Sequence, residues 1–319
     1  SDISKGDALV GVKQPIAGAV ARTQHSKNTD YITVFDFGAV ADGVLATGSG
    51  TDNTAAFQAA IDSIGDGGVL HVPKGNYKLA GQIVLPNNFT LTGDGAWQTM
   101  LFAPSTFDSD GLIKIVGANG LPTTVEKLAV ASQIGGAGSS SIGVNSEKNG
   151  VFLRDLWVSG FKYNVSINST SNFIYDSVIE ETVSGGTGLI ITSPATIISN
   201  VQFYRCYVGV LIPDVAFIDG LITLQGVQFI DSGYRGIDIS GSTNIQIINC
   251  SAGSATENFG NSAIYANNSS KIVIQGFVGR LETQSSTGSC INLNNCTDIS
   301  VTGLSLIHIS EPTRPERIS

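Results

Sequence analysis

Short stretches in which apolar and polar residues alternate recur along the second half of the chain and fall into two series. The spacing of about two dozen residues, with two strand-like stretches per repeat and no helix between them, predicts a parallel β-helix (solenoid). Each turn of such a fold adds one strand to each sheet. The first series starts at Phe152, Phe173, Ile197, Ile222, Ile245, Ile272 and Ile299, at intervals of 21, 24, 25, 23, 27 and 27 residues. The second series lies between them and starts at Tyr163, Thr187, Val208, Arg235, Ser262 and Ser289.

The alternation within each stretch assigns residues to an inner or an outer face. Ile237 and Ile239 flank Asp238, for example, so the two isoleucines are expected inside the solenoid and the carboxylate outside. Functional side chains are therefore expected on the outward positions. The residues predicted to point inward are Leu156, Val201, Val227, Cys250, Phe277 and Leu304.

A different pattern precedes the repeats. The run NTAAFQAAIDSI places apolar residues at helical spacing on one face, and Thr51-Asp52 before it can cap a helix start. Because an open solenoid end exposes core and strand edges, we expect this short N-terminal helix to cap the first coil. The sequence thus predicts an all-β protein, a parallel β-helix from about residue 65 to about 306 with a capping helix.

The amino-acid composition limits the kinds of partner that the protein is expected to bind. The formal net charge is −9 and only 17 Lys and Arg residues are spread over 319 positions, which argues against a nucleic-acid partner. No run approaches the roughly 18 apolar residues that cross a bilayer, so no membrane insertion is expected. The four cysteines lack CxxC spacing and are expected as buried thiols. The three histidines support neither a catalytic triad nor a metal site, and no cofactor is predicted.

Three runs at the start of the repeats carry a family resemblance. VFDFGAVADG from Val34, TDNTAAFQAAID from Thr51 and GGVLHVPKGNYKL from Gly67 resemble the entry segment of pectate-lyase-like β-helix proteins. The stretch LVGVKQPIAGAVARTQHSKNTDYITVFDFGA from Leu9 resembles the neck that precedes the β-helix in bacteriophage tailspikes. These runs cover roughly residues 9 to 95.

The resemblance implies a single-stranded right-handed parallel β-helix that assembles as a homotrimer in the virion tail, together with other virion tail proteins. A tailspike depolymerase of this kind is made in the host cytoplasm and cleaves a capsular or O-antigen polysaccharide at the bacterial surface. We expect residues 1–33 to be neck, 34–305 to be β-helix and 306–319 to be a non-native-looking tail, because LIHISEPTRPERIS breaks the repeat abruptly. Most of a head-binding domain and the long C-terminal trimerisation region are expected to be missing.

Hydrolysis of a glycosidic bond ordinarily uses two carboxyl groups, about 5 Å apart for retention or about 6.5–9.5 Å apart for inversion. Aligning the first series on Asp176, Asn200 and Gly226 places three later residues in one column, on successive coils, and these are Glu181, Arg205 and Asp231. With coils about 4.8 Å apart, the two acids would lie roughly 10 Å apart with the arginine between them. This column is the leading candidate site.

The segment DSGYRGID adds a second acid, Asp238, in an outward position that is apolar in the preceding coils. We predict Glu181, Asp231 and Asp238 as catalytic residues lining one groove. The residues predicted to bind substrate are Arg205, Tyr234, Arg235 and Asp214. Glu180 is a lesser candidate. Alternatives stay open: a polysaccharide lyase on the same fold, a non-catalytic receptor-binding solenoid, or a column that is only an exposed ion-pair ladder.

Overall fold

The computed structural model describes residues 6–117, 121–133, 138–214, 220–253, 262–281 and 290–308. They form a right-handed parallel β-helix with few helices, as predicted.

The α-helices are α1 Gln24–Asn28 and α2 Thr54–Ile64, and the 3₁₀ helices are Gly6–Leu9 and Val34–Phe37. The strands are β1 Gly11–Val12, β2 Arg22–Thr23, β3 Val69–Val72, β4 Gly75–Lys78, β5 Ile83–Leu85, β6 Thr90–Gly93, β7 Thr99–Ala103, β8 Ile113–Ile115, β9 Thr123–Ser132, β10 Ile142–Ser146, β11 Val151–Ser159, β12 Tyr163–Ile167, β13 Asn172–Tyr175, β14 Val178–Glu180, β15 Thr187–Ile191, β16 Thr196–Ser199, β17 Gln202–Tyr204, β18 Val208–Ile212, β19 Ile222–Gln225, β20 Gln228–Ile230, β21 Arg235–Ser240, β22 Thr243–Ile248, β23 Ser251–Gly253, β24 Ser262–Asn267, β25 Ser270–Gln275, β26 Val278–Leu281, β27 Ile291–Asn294, β28 Thr297–Thr302 and β29 Ser305–His308.

Each central coil contributes three short strands, because a bend divides the first-series stretch in two. β13, β14 and β15 form one coil, and β16, β17 and β18 form the next. Corresponding strands pair in parallel, as with Glu180 opposite Tyr204 and Leu189 opposite Val210. Six second-series strands, β12 to β27, build one nine-stranded sheet together with the earlier strands β5, β8 and β10. The predicted start at Ser289 lies outside the described residues. Every described coil strand pairs in parallel with the coils beside it, so the predicted solenoid is confirmed.

One predicted interval is wrong by a residue. The sequence pattern equated Ile197 with Ile222, whereas the structure pairs Thr196 with Ile222 and Ile197 with Thr223. The two isoleucines belong to opposite faces: Ile222 is 1% exposed and Ile197 is 36% exposed. The pattern failed here because isoleucine occurs on both faces of these strands and does not by itself mark the inward one.

The core is a stack of apolar side chains that runs along the inside of the coils. Five of the six residues predicted to point inward are buried, namely Leu156, Val201, Val227, Cys250 and Phe277. Leu304 aligns with Phe277, one residue before the pairing of Val278 with Ser305, but it is 40% exposed. It belongs to the last described coil, and no later coil among the described residues covers it. Cys206 and Cys250 are buried free thiols, as predicted, while Cys290 and Cys296 are only half-buried.

Helix α2 covers the first coil. Asn53 is the N-cap residue, and Asp52 before it accepts hydrogen bonds at Oδ1 from the backbone N of Thr54 at 3.0 Å and from its hydroxyl at 2.6 Å. Phe57 and Ile61 are buried on the coil side, and the Phe57 ring meets Tyr77 edge-on at 5.5 Å between centroids. The capping helix is therefore confirmed. No helix among the described residues is long and apolar enough to cross a membrane.

The two ends of the chain differ from the coils. Before the helix, β1 and β2 pair antiparallel, and Leu9 and Val20 are 74% and 83% exposed. At the other end, β29 pairs in parallel with β26 through His308, three residues beyond the expected end of the β-helix at 305. Residues 309–319 lie outside the described residues. The division into neck, β-helix and tail stays a prediction.

Candidate active site

Successive coils bend at stacked corners where the backbone adopts a left-handed conformation. One such stack, which we call the ladder corner, consists of Asp176, Asn200, Gly226, Asn249, Gly276 and Gly303, all with φ between 46° and 64°. Glycine, asparagine and aspartate are the residues that tolerate this conformation best. The Asn200 amide also donates to the Asp176 carboxylate at 3.2 Å. This corner has the composition that backbone geometry alone would favour.

A second stack, here called the charged corner, follows the second half of each divided stretch, directly after β14, β17 and β20. It consists of Gly160, Glu181, Arg205 and Asp231. The pairing of Glu180 with Tyr204 and of Tyr204 with Ile230 aligns the next residues on successive coils. Each backbone N donates to a carbonyl of the following coil, that of Glu181 to Tyr204 at 2.9 Å. The predicted alignment of this column is confirmed.

The backbone of the charged corner is strained. Glu181, Arg205 and Asp231 have φ values of 45°, 51° and 52°. A left-handed conformation costs a residue with a Cβ about 1–2 kcal/mol, and glutamate and arginine lack the local hydrogen bonds that ease it for asparagine. Glu181 and Arg205 are thus residues of a disfavoured type on successive coils, whereas Asp231 belongs to a type that tolerates the conformation. Lys127 and Lys271 adopt it elsewhere in the chain, with φ values of 56° and 52°.

Arginine lies between the two acids of this corner. Arg205 Nη1 is 3.2 Å from Glu181 Oε1, and its guanidinium carbon lies 4.8 Å from the centroid of the Tyr204 ring. Both charged side chains are more than half exposed, so their pairing contributes only about 0–1 kcal/mol to stability. The pair therefore contributes little to the stability of the fold.

Two adjoining pockets flank the charged corner, and together we call them the corner groove. The first, about 440 Å³, is lined by Trp157, Ser159 and Glu181, and also by Leu45 from the loop before α2. The second, also about 440 Å³, is lined by Arg205, Tyr207 and Asp231, among others. The stretch 182–184 borders both pockets. The groove thus brings together carboxylates, a guanidinium and aromatic rings.

Glu180 lies next to the groove, half-buried on the outer face of β14. Burial raises the pKa of its carboxyl, and the neighbouring Glu181 raises it further, against the opposing effects of Trp157 and Arg205. A carboxyl whose proton is retained to higher pH is the property that proton donors in glycoside hydrolysis need. The sequence offered no means to rank Glu180 above the other acids.

Arg235 is enclosed in a second cluster, the arginine cage, formed with Tyr234, Asp238 and Tyr265. Its guanidinium lies 3.6 Å from the Tyr265 ring centroid and 4.5 Å from that of Tyr234. Its Nη1 is 2.5 Å from Asp238 Oδ2, and the two side chains are only 12% and 14% exposed. Tyr234 stacks in turn on Tyr207 at 5.2 Å between centroids, which connects the cage to the groove.

The structure therefore separates the residues that the sequence grouped. Glu181, Arg205 and Asp231 line the corner groove, whereas Asp238 and Arg235 are not among the residues that line its two pockets. Asp214 lies beyond the opposite end of β18, against Gly241, and is not brought to the groove. Sequence reasoning missed further residues of the groove and its rim, namely Trp157, Trp97 and Tyr207. Outward alternation could have indicated Trp157; the loop residues had no such signal.

Metal ligands do not assemble in the described part of the chain: it contains no group of three or more His, Cys, Asp or Glu side chains that could hold an ion.

Comparison with known proteins agrees with this architecture. A family profile described as rhamnogalacturonase A/epimerase, pectate lyase-like, matches residues 31–134. The tail spike protein of Shigella phage Sf6 is 33% identical over 186 residues, which cover 50% of this chain and 29% of that protein. The resemblance to phage tailspikes with a pectate-lyase-like β-helix is confirmed. The chain thus spans less than a third of the length of this curated relative.

Solved structures show the same fold at low identity. The tailspike of E. coli bacteriophage HK620, in complex with a pentasaccharide, superposes with a TM-score of 0.69 at 13% identity, covering 96% of this chain and 62% of that one. The enzymatically active domain of bacteriophage CBA120 tailspike protein 2 gives 0.67 at 15%, with 95% and 49% covered. The A-module of Azotobacter vinelandii mannuronan C-5 epimerase gives 0.56 at 16%, with 88% and 100% covered. At these identities the likeness concerns the fold alone.

Proposed function

We propose that this chain is the β-helix part of a phage tailspike that binds a bacterial surface polysaccharide and cleaves it as an endo-glycosidase. The observation that carries the proposal is the charged corner, where two acids and an arginine occupy left-handed positions on successive coils beside a groove. The sequence similarity to a tail spike protein supplies the biological setting, at the virion tail and the host surface.

Glu181 and Asp231 are proposed as the catalytic pair. They stand two coils apart, and coil spacing puts their backbones roughly 10 Å apart. Side chains that converge over the groove would bring the carboxyls into the range of about 6.5–9.5 Å that leaves room for a water molecule, as inverting hydrolases require. One carboxyl then donates a proton to the leaving oxygen while the other activates the water.

The surrounding groups are proposed to hold the saccharide. Arg205, between the acids, can donate hydrogen bonds to sugar hydroxyls or pair with an acidic sugar. The stacked rings of Tyr207 and Tyr234 offer an apolar surface to the C–H faces of a sugar ring. Asp238 is proposed to act as a positioning residue, since its carboxylate holds Arg235 against Tyr234.

The test is a depolymerisation assay of the full chain on purified O-antigen and capsular polysaccharides from Shigella and E. coli strains, the hosts named for the similar tailspikes. New reducing ends without ultraviolet absorbance are expected for a hydrolase, and an unsaturated, absorbing product would instead establish a lyase. Glu181→Gln and Asp231→Asn should each lower the rate by about 10²–10⁴-fold.

Asp176→Asn is the matched control, because Asp176 occupies the ladder corner of the same coil as Glu181 with a similar φ of 46°. It should cleave at the unsubstituted rate. If the chain binds a polysaccharide but cleaves none of the samples, the depolymerase hypothesis is wrong and the chain is a receptor-binding solenoid. If Glu181→Gln and Asp231→Asn both cleave at the unsubstituted rate, these two acids are not catalytic.

We further propose that the tailspike assembles as a homotrimer with the neck at its centre. The exposed apolar side chains of Leu9, Ile16 and Val20, between 68% and 83% accessible, need a partner surface, and copies of the same chain supply one. Light scattering at micromolar concentration is expected to give three times the 33.1 kDa chain mass. Replacement of all three residues by serine should yield monomers, and a trimer that survives it would place the interface elsewhere.

A further inference from the structure

Trp97 is an exposed aromatic residue whose position is fixed by its loop. Its side chain is 75% accessible, yet the turn that carries it is tied down by backbone hydrogen bonds. Gly95 N donates to Lys127 O, and Gln98 N donates to Gly95 O, both at 2.9 Å. Asp94 N donates to the Thr99 hydroxyl at 3.0 Å. A large apolar ring held outward in this way gains little from burial in the fold.

The partner of Trp97 is the second tryptophan of the chain. Trp157 faces outward from β11, and the two ring centroids lie 5.3 Å apart with 36° between the ring planes. Sixty positions separate them in sequence, so stacking of the coils creates the pair. Together they form an aromatic surface on the outside of the solenoid, here called the tryptophan platform.

The platform continues the corner groove along the solenoid axis. Trp157 lines the first pocket together with the polar side chains of Ser132, Gln133 and Ser159, and that pocket leads to Glu181. From the coil of Trp157 to the coil of Asp231 there are three coil steps, or roughly 14 Å. The platform is therefore too far from the second acid to contact the same sugar unit.

We propose that the tryptophan platform is a saccharide subsite at the Glu181 end of the corner groove, which stacks on the C–H face of a sugar ring beyond the units that lie between the two acids. Aromatic faces provide the apolar contact, and the serine and glutamine side chains beside them provide hydrogen bonds to hydroxyls. This inference rests on the proposed function, since the ligand is another part of the same polysaccharide. It assigns the early coils to substrate length recognition and the charged corner to the reaction.

Trp97 and Trp157 are the only two tryptophans in the sequence, so intrinsic tryptophan fluorescence reports on this platform alone. The experiment titrates the Asp231→Asn chain with the polysaccharide that the unsubstituted chain binds or cuts, and follows the emission. A saturable change in intensity or wavelength is expected. Adding Trp97→Leu should raise Kd about tenfold, while Trp97→Tyr, which keeps a ring, should raise it less than about threefold.

Kinetics on the catalytically competent chain give an independent readout. Trp97→Leu is expected to act on KM, by about tenfold for long polysaccharide, with kcat affected far less, because remote binding contributes to affinity more than to the reacting centre. Short oligosaccharide fragments that do not reach the platform should be cut alike by both proteins. Since Trp97 is so exposed, its replacement should leave the melting temperature unchanged.

Two results separate this inference from the proposed function. Cleavage that proceeds with no fluorescence response, and with the same Kd and KM in Trp97→Leu, would overturn the platform and leave the depolymerase intact. A fluorescence response to a polysaccharide that is never cut, lost in Trp97→Leu, would support the platform and overturn the depolymerase.

Discussion

The ladder corner and the charged corner impose the same left-handed bend on the same coils but fill it with different residues. Asp176, Asn200 and Gly226 belong to the residue types that accept positive φ, whereas Glu181 and Arg205 do not. Two stacks with equal backbone demands thus isolate the effect of side-chain selection. Composition follows backbone geometry at the ladder corner and departs from it at Glu181 and Arg205. Substitutions at the two corners test whether these two residues serve the fold or the proposed reaction.

The largest expected effect is on the free energy of unfolding, at the buried residue that follows the ladder corner. Val227 follows Gly226 and is fully buried. Val227→Asp places an unpaired charge in the core and should cost several kcal/mol, enough to prevent folding at ordinary temperatures. Gln228→Asp, on the next, outward position of the same coil, is the matched control and should stay folded. Circular dichroism melting curves check both, and an unchanged midpoint for Val227→Asp would contradict its burial.

Much of this comparison was predictable from sequence. The two series of strands and the alignment of Glu181, Arg205 and Asp231 follow from a repeat of about two dozen residues, since every coil must return to the same lateral position. The left-handed backbone of the charged corner was not predictable, because glutamate and arginine do not signal it. Three residues of the arginine cage, Tyr234, Arg235 and Asp238, are neighbours in the sequence, but the packing of Arg235 against Tyr265 of the next coil was not predictable from period or spacing.

The arginine cage offers the next largest effect. Asp238→Asn removes the counter-charge of a guanidinium that is only 12% exposed, and should cost about 1–3 kcal/mol of stability as well as lowering the cleavage rate. Asp231→Asn, in the open groove, should lower the rate with little change in melting temperature. The two variants are compared by melting and by reducing-end assay. Equal melting temperatures would show that the cage does not depend on its ion pair.

Glu180 tests the electrostatics of the charged corner through pH. Burial and the neighbouring Glu181 raise its pKa in the folded state above the unfolded value, so between these two values the folded protein holds more protons. Stability therefore decreases as pH rises through that window, and the loss is complete above the raised pKa. Glu180→Gln should remove this decrease and melt higher than the unsubstituted chain at neutral pH.

Melting curves from about pH 4 to pH 7.5 make the comparison, and Asp176→Asn in the ladder corner should retain the pH slope of the unsubstituted chain. A Glu180→Gln protein with that same slope would place the pH dependence in other carboxyls.

The smallest effect tests the strain itself, by exchanging residues between the corners. Gly226→Glu brings a charged residue to the ladder corner and should cost about 1–2 kcal/mol, since φ is 62° and an added Cβ would meet Asn200 Oδ1 at 2.9 Å. Cleavage should persist.

Glu181→Gly relieves the same strain and gives up an exposed ion pair worth about 0–1 kcal/mol, so the unfolding free energy should change by less than about 1 kcal/mol while cleavage is lost. Urea unfolding measures both. If Glu181→Gly destabilised the chain as much as Gly226→Glu does, the glutamate would be a folding residue and the charged corner would resemble the ladder corner in purpose as well as in shape.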